Sequence, residues 1–288
     1  MLAIHAKPSV REVAYRTHGS TRGPITRLVS PSDLGEVMKP FVFLDLAYFD
    51  GRSAPTPMEY FWHPHSGIAT VTVPLDGAMR IADTTGADVI LPAGGIEWMR
   101  AGHGVWHTGQ AEPGVARLFQ LWVALPPELE NAPSASQYIQ PAQVPSVGPA
   151  RVILGSYAGV TSPVDAPPMT YLQVNLAPGE RWTYQPAPGH IVGWLAVADG
   201  ALRTPARVEA GEVAVFEQAN DPLVLVAEGH TRFVIGSAAP HPHELALGNY
   251  SVHTSAAALR QGETEIRRIG RQLRDNGTLR HARPAVAL

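Results

Sequence analysis

The segment GIATVTVPLDGAMRIADTTGADVILPAGGIEWM, residues 67–99, decides the fold. Its apolar runs are short and rich in β-branched residues, and they are broken by Asp76-Gly77 and by the Ala93-Gly94-Gly95 turn, which reads as strands joined by hairpins. A second segment, HIVGWLAVADGALRTPARVEAGEVAVFEQ at 190–218, has the same layout. Superposing Asp76–Arg80 on Asp199–Arg203 carries HPHSGIATVTVPLDG (63–77) onto PAPGHIVGWLAVADG (186–200) without a gap. After a shorter hairpin loop, Pro92–Met99 falls on Glu209–Phe216. A repeat of this kind predicts an all-β chain with two antiparallel β-barrel domains of jelly-roll type.

The first copy is expected to run to about Gln140 and the second from Val152 to Ala239, giving domains at 1–140 and 141–288. Between them, ENAPSASQYIQPAQVPSVGPA (130–150) reads as a linker because of its prolines and small residues. The tail has a different period: after Ser255, a ready N-cap, Leu259, Ile266, Ile269 and Leu273 recur at helical spacing up to Asn276-Gly277. That predicts one C-terminal helix within the second domain, with Arg260, Arg267, Arg268, Arg271 and Arg274 on its solvated face or against an anionic partner.

Composition narrows the function classes. The 288 residues carry a formal net charge of -3, which argues against direct nucleic-acid binding or an anionic membrane surface. No cysteine occurs, so disulfides, thiolate metal sites and cysteine nucleophiles are excluded. The N-terminus, MLAIHAKPSVREVAYRTHG, lacks an apolar core of signal-peptide length, and no apolar run suits a membrane helix; a cytoplasmic protein is the expectation.

Histidine carries the remaining chemistry. In FWHPHSG (61–67), period two sends His63 and His65 to one side of an extended strand, and Pro64 holds its predecessor extended. AGHGVWHTGQ (101–110) then offers His103 and His107 just before another strand, RLFQLWVALP. The duplicate sharpens the pattern: Pro186 and Pro188 stand where the first copy has His63 and His65, and Val224 matches His107. Three nitrogens present together in one copy and absent together from the other fit ligands to one metal better than core packing, because a partial set binds poorly.

The phrases PFVFLDLAYFD (40–50), HPHSGIATVTVPLDG, GIEWMRAGHGVWHTG and FQLWVALP, with the weaker HPHELALGNYSVHTS (241–255), resemble the pirin family, a branch of the two-domain cupins. The resemblance implies a mononuclear metal site in the first domain and none in the second. It implies His63, His65 and His107 as ligands to a divalent metal, iron by family expectation, with nickel, copper, zinc, cobalt or manganese also suited to imidazole. It further implies either a quercetin 2,3-dioxygenase-like activity on a small aromatic substrate, or a regulatory role with a protein partner.

Two carboxylates of the family pattern are missing. Gly109 stands where the family has its fourth ligand, and Ala69, on the face predicted for His63 and His65, replaces a second glutamate. Gln110 has the wrong parity to substitute. Glu97, in place of a usual glutamine, is either a replacement ligand, a general base facing the metal cavity, or a solvated strand-end carboxylate. His103 either lines the entrance or belongs to a surface loop. Trp62, Trp98, Met99 and Trp106 either wall an aromatic pocket or fill the core.

Overall fold

The computed structural model describes residues 11–52 and 62–279, so most of the leader reading and Phe61 lie outside the described residues. The chain is mostly β and divides into two compact units. One comprises Ser20–Val144 together with the tail from His241, and the other comprises Pro145–Pro240 together with the N-terminal segment through Gly19.

In the first unit a seven-stranded antiparallel sheet has the order Ala135–Ile139, Ile96–Arg100, Ile68–Asp76, Ala116–Ala124, Phe41–Phe49, Ile25–Val29, Ser20–Arg22. A four-stranded sheet has the order His63–His65, Val105–Ala111, Ala78–Asp83, Asp88–Pro92. Ala47, Ala116 and Leu118 from the larger sheet meet Met79, Ile81, Leu91 and Ala111 from the smaller, so the two sheets pack face to face. Burial of each large aliphatic side chain there is worth about 1.5–3 kcal/mol.

The β-branched strand Ile68–Asp76 is buried along nearly its whole length, and both its edges are paired. Its Pro74 has no N–H to offer the ladder, and the register with Ala116–Ala124 slips beside it, between Arg117 and Leu118.

The second unit repeats this plan. Its seven-stranded sheet runs Val13–Thr17, Val213–Phe216, Val192–Asp199, Thr231–Ala238, Met169–Leu176, Ala150–Leu154, Ser146–Val147, and its four-stranded sheet runs Arg181–Tyr184, Leu223–Ala227, Ala201–Arg203, Arg207–Glu209. The matched Asp-Gly turns adopt the same backbone: φ is 70° at Gly77 and 76° at Gly200, a region that glycine enters at little cost.

Three expectations need correction. Among the described residues each unit has a seven-stranded and a four-stranded open sheet and a small two-stranded one, with no ladder closing a barrel. The C-terminal helix, Ala256–Asp275, forms with Ser255 capping Ala258 N as predicted, but it packs on the first unit, through Trp106 among others, because its glycines allow close approach there. Conversely, the N-terminal strand Val13–Thr17 pairs with Val213–Phe216 of the second unit. The predicted linker is partly a strand: Ala135–Ile139 adds to Ile96–Arg100, and the hydroxyls of Ser136 and Tyr138 donate to Asp83 at 2.6 and 3.0 Å. Prolines on either side of ASQYI hid this pairing. Among the described residues no helix is long and apolar enough to cross a membrane.

Candidate metal centre

The strands His63–His65 and Val105–Ala111 pair with His107 directly opposite His63 and Val105 opposite His65. Residues opposite one another share a face, as do residues two apart, so the three imidazoles project to one side. Their Nε2 atoms converge: 2.9 Å separates His107 from His63, and 3.1 Å separates His107 from His65. One ligand atom from each of the three lies within 4.8 Å of the others. The rings meet edge to face, with interplanar angles of 61°, 63° and 85°.

Burial sets the protonation of this cluster. His65 and His107 are 1% and 6% exposed, and their pKa values fall well below 6.5, first because burial penalises the charged ring and then because the other histidines repel it. Neutral rings leave lone pairs for a metal. The carbonyl of Tyr250, 3.0 Å from His65 Nδ1, can only accept, so Nδ1 carries the proton and Nε2 is the free donor. Tyr250 itself has φ of 60°, unusual for a residue with a side chain.

The donor set fits a divalent ion. Two nitrogens at right angles, each ~2.1 Å from one ion, stand about 3 Å apart, close to the separations found here. Three neutral nitrogen donors at such spacing otherwise offer one another few protons to share.

Glu97 does not join them. It lies on Ile96–Arg100 in the larger sheet, opposite Thr72 on one side and Tyr138 on the other, and is 1% exposed, so it is not a solvated strand end. Its Oε1 stands 3.9 Å from His107 Nδ1, the ring nitrogen turned away from the cluster. Neither atom has a hydrogen-bond partner among the described residues. Thr72 Oγ1 donates to Glu97 Oε2 and lies 2.9 Å from the side-chain amide of Gln120. Burial pushes the Glu97 carboxyl up to about 7, against the Thr72 hydrogen bond, with Asp83 adding to the rise.

Other expectations sort as follows. Gly109 shares the strand face of His107, and a Cβ built there meets nothing nearer than 3.9 Å, so a side chain has room. Ala69 lies on Ile68–Asp76 in the other sheet, beyond a turn at Gly67 with φ of 76°, so the strand parity assumed for it does not carry across. His103 neither joins the cluster nor sits in an open loop: its Nδ1 lies 3.1 Å from Ala132 O and its Nε2 3.5 Å from Glu265 of the helix. Trp98 and Met99 are buried core, and Trp106 Nε1 donates to Ile266 O of the helix. In the second unit, strand pairing places Thr183 opposite Val224, where the ungapped repeat pointed to Pro186.

The aromatic wall comes from residues the sequence reading passed over. Trp122 stands 4.8 Å from the His65 ring and stacks on Phe43 at 3.9 Å, while the Tyr250 ring is 5.4 Å from His63. Trp122 was visible only as part of FQLWVALP, and nothing local tells which face it takes.

A buried polar cluster adjoins the site. Ser66 Oγ donates to Ser251 Oγ at 2.8 Å and lies 3.0 Å from His253 Nε2; His253 Nδ1 in turn lies 3.2 Å from Glu130 Oε2. Glu130 also accepts from Thr254 N and Thr254 Oγ1, both at 2.7 Å. Although the order serine, histidine, carboxylate matches a nucleophilic triad, a Cβ at Gly262 would sit 2.5 Å from Ser66 Oγ, leaving no space for a substrate. The cluster is a clasp that fastens the tail to the segment bearing His65.

The paired sheets and three-imidazole cluster define a cupin-like β protein. The Pirin family model matches residues 24–123. A Pseudomonas aeruginosa protein named "Putative quercetin 2,3-dioxygenase PA3240" is 32% identical over 236 residues, covering 75% of this chain and 80% of its own. A "Pirin-like protein" of Caulobacter vibrioides is 37% identical over 124 residues, but that match spans only 42% of this chain and 44% of the relative. Among solved structures, quercetin 2,3-dioxygenase from Acinetobacter baumannii superposes with a TM-score of 0.80 at 24% identity, covering 90% of this chain and 98% of its own. The bacterial pirin YhhW from Escherichia coli, in complex with nickel(II), gives 0.60 at 16% identity, covering 82% and 100%. At these identities the structural likeness establishes the fold. The chain belongs to the pirin family.

Proposed function

We propose that this chain is a pirin-type bicupin that holds a divalent metal ion at His63, His65 and His107 and acts as a quercetinase-like dioxygenase on a flavonol-like aromatic substrate. The observation that carries this reading is the convergence of three Nε2 atoms, with 2.9 and 3.1 Å between neighbours, on one face of a strand pair. Support for the substrate class comes from the relatives' names and from the aromatic wall of Trp122 and Tyr250 beside the cluster.

When bound, such an ion supplies Lewis acidity and coordination positions open to oxygen ligands. Burial keeps His65 and His107 neutral and ready to donate lone pairs, Tyr250 O fixes the tautomer of His65, and the aromatic side chains exclude water and favour a flat substrate. Iron is the family expectation, and imidazole also suits nickel, copper, zinc, cobalt and manganese. With Gly109 in the fourth place, the donor set is neutral, which makes the ion more Lewis acidic.

Protein loaded anaerobically with iron, nickel, cobalt, copper or manganese is expected to consume O2 and bleach the absorption of quercetin. No turnover with any of these metals would sink the dioxygenase reading in favour of a regulatory protein with a macromolecular partner. Full activity in His63→Ala would remove the named site from the reaction.

A further inference from the structure

We propose that Glu97 is a positioning residue for the metal centre: its carboxylate accepts the Nδ1–H of His107 and so supplies, through that ring, a negative charge that the three imidazoles lack. This rests on the metal-binding reading above. The geometry is the primary argument. His107 turns Nε2 toward the cluster and Nδ1 toward Glu97 Oε1, 3.9 Å away, and these last two are fully buried polar atoms with no hydrogen-bond partner among the described residues. A neutral imidazole has one N–H. If Nε2 donates its lone pair to an ion, the proton must reside on Nδ1, which then needs an acceptor.

For His65 that acceptor is Tyr250 O; for His107 Glu97 Oε1 faces the nitrogen. Its other oxygen is held by Thr72, which itself contacts Gln120, so the carboxylate is anchored and needs only a small shift to close the gap. Charge points the same way. Three neutral imidazoles leave the full double charge of the ion unbalanced in a buried site, and position 109, which has room for a side chain, carries none. Glu97 returns one negative charge from behind a ligand instead of at the metal.

The test uses the full chain as wild type, Glu97→Gln, Gly109→Glu and the double variant, with Co(II) affinity measured by chelator competition and the Co(II) ligand-field spectrum recorded. Glu97→Gln keeps the shape and the Thr72 contact, so its metal-free melting temperature is expected to match or exceed wild type while affinity falls about 10–100-fold. Gly109→Glu in that background is expected to recover affinity with an altered spectrum. Affinity within about twofold of wild type in Glu97→Gln, or a metal-free form melting well below wild type, would overturn the assignment. Wild type that binds no Co(II) would remove the metal-binding reading itself and this inference with it.

Discussion

His63 and His107 stand directly opposite one another across an antiparallel strand pair, with their Nε2 atoms 2.9 Å apart. Directly opposed positions are the closest that two strands offer, so the ladder itself preorganises two of the three imidazoles before any ion arrives. Binding therefore requires little rearrangement, and its free energy should appear as added stability.

Divalent metal is thus expected to raise the melting temperature of the wild-type chain, by the equivalent of about 2.7 kcal/mol when free metal is one hundred times Kd. His107→Ala should abolish that rise, because His107 is the ring within 2.9 and 3.1 Å of both others. Thermal melts with and without chelator check this. An equal rise in both proteins would contradict it.

Acid should destabilise the metal-free protein, with a sign set by competing groups. His65 and His107 have lowered pKa values in the folded state, so as pH falls through about 6.5 the unfolded chain takes up protons that the folded one resists. Glu97 opposes this: its carboxyl is protonated up to about 7 when folded but ionised above 4.5 when unfolded, so it favours the folded state in acid and loses that contribution as pH rises through 7. Two histidines outweigh one glutamate. Between about pH 5 and 6.5 the three groups together make stability rise with pH, more steeply at the acid end, where the unfolded histidines are fully protonated. Urea titrations should show a steeper dependence for Glu97→Gln than for wild type.

Gly262→Ala should loosen the tail. The added Cβ would sit 2.5 Å from Ser66 Oγ and 2.6 Å from His253 Nε2, both buried and already bonded. Overpacking of this kind costs about 1–3 kcal/mol. Hydrogen exchange across Ala256–Asp275 should speed up, whereas the same substitution at the unconfined Gly229 should leave that helix unchanged.

Removing the clasp's carboxylate should cost more. Glu130→Ala leaves His253 Nδ1, Thr254 N and Thr254 Oγ1 without their acceptor in a buried setting, a loss of about 3–5 kcal/mol by denaturant unfolding. A change below 1 kcal/mol would show that water replaces it at no cost.

The sequence made local features legible. Asp76-Gly77 and Asp199-Gly200 announced turns with a positive-φ glycine, but not hairpins: in each unit the strand before the turn lies in the seven-stranded sheet and the strand after it in the four-stranded one, so the turn carries the chain between sheets, whereas Ser255 and Asn276-Gly277 marked the helix ends. The histidine cluster was legible because period two and one strand pairing suffice to bring it together. What escaped depended on distant chain. The place of Glu97, open between metal cavity and solvated strand end, depends on its pairing with Thr72 and Tyr138, which is set by the sheet order and turns it toward the back of His107. Tyr250 and Trp122 reach the site through contacts no local pattern encodes. The tail's helix was evident, yet the face it covers was not, since Gly262 and Gly270 reveal their purpose only against Ser66 and Trp106.

The hydrogen bond from His65 to Tyr250 spans 185 residues of chain. A ribosome adding about 5–20 residues per second needs roughly 10–40 seconds to cover that interval. The histidines emerge first, and the carbonyl that fixes one of their tautomers follows only after that delay. A nascent chain therefore carries this centre unfinished throughout the interval.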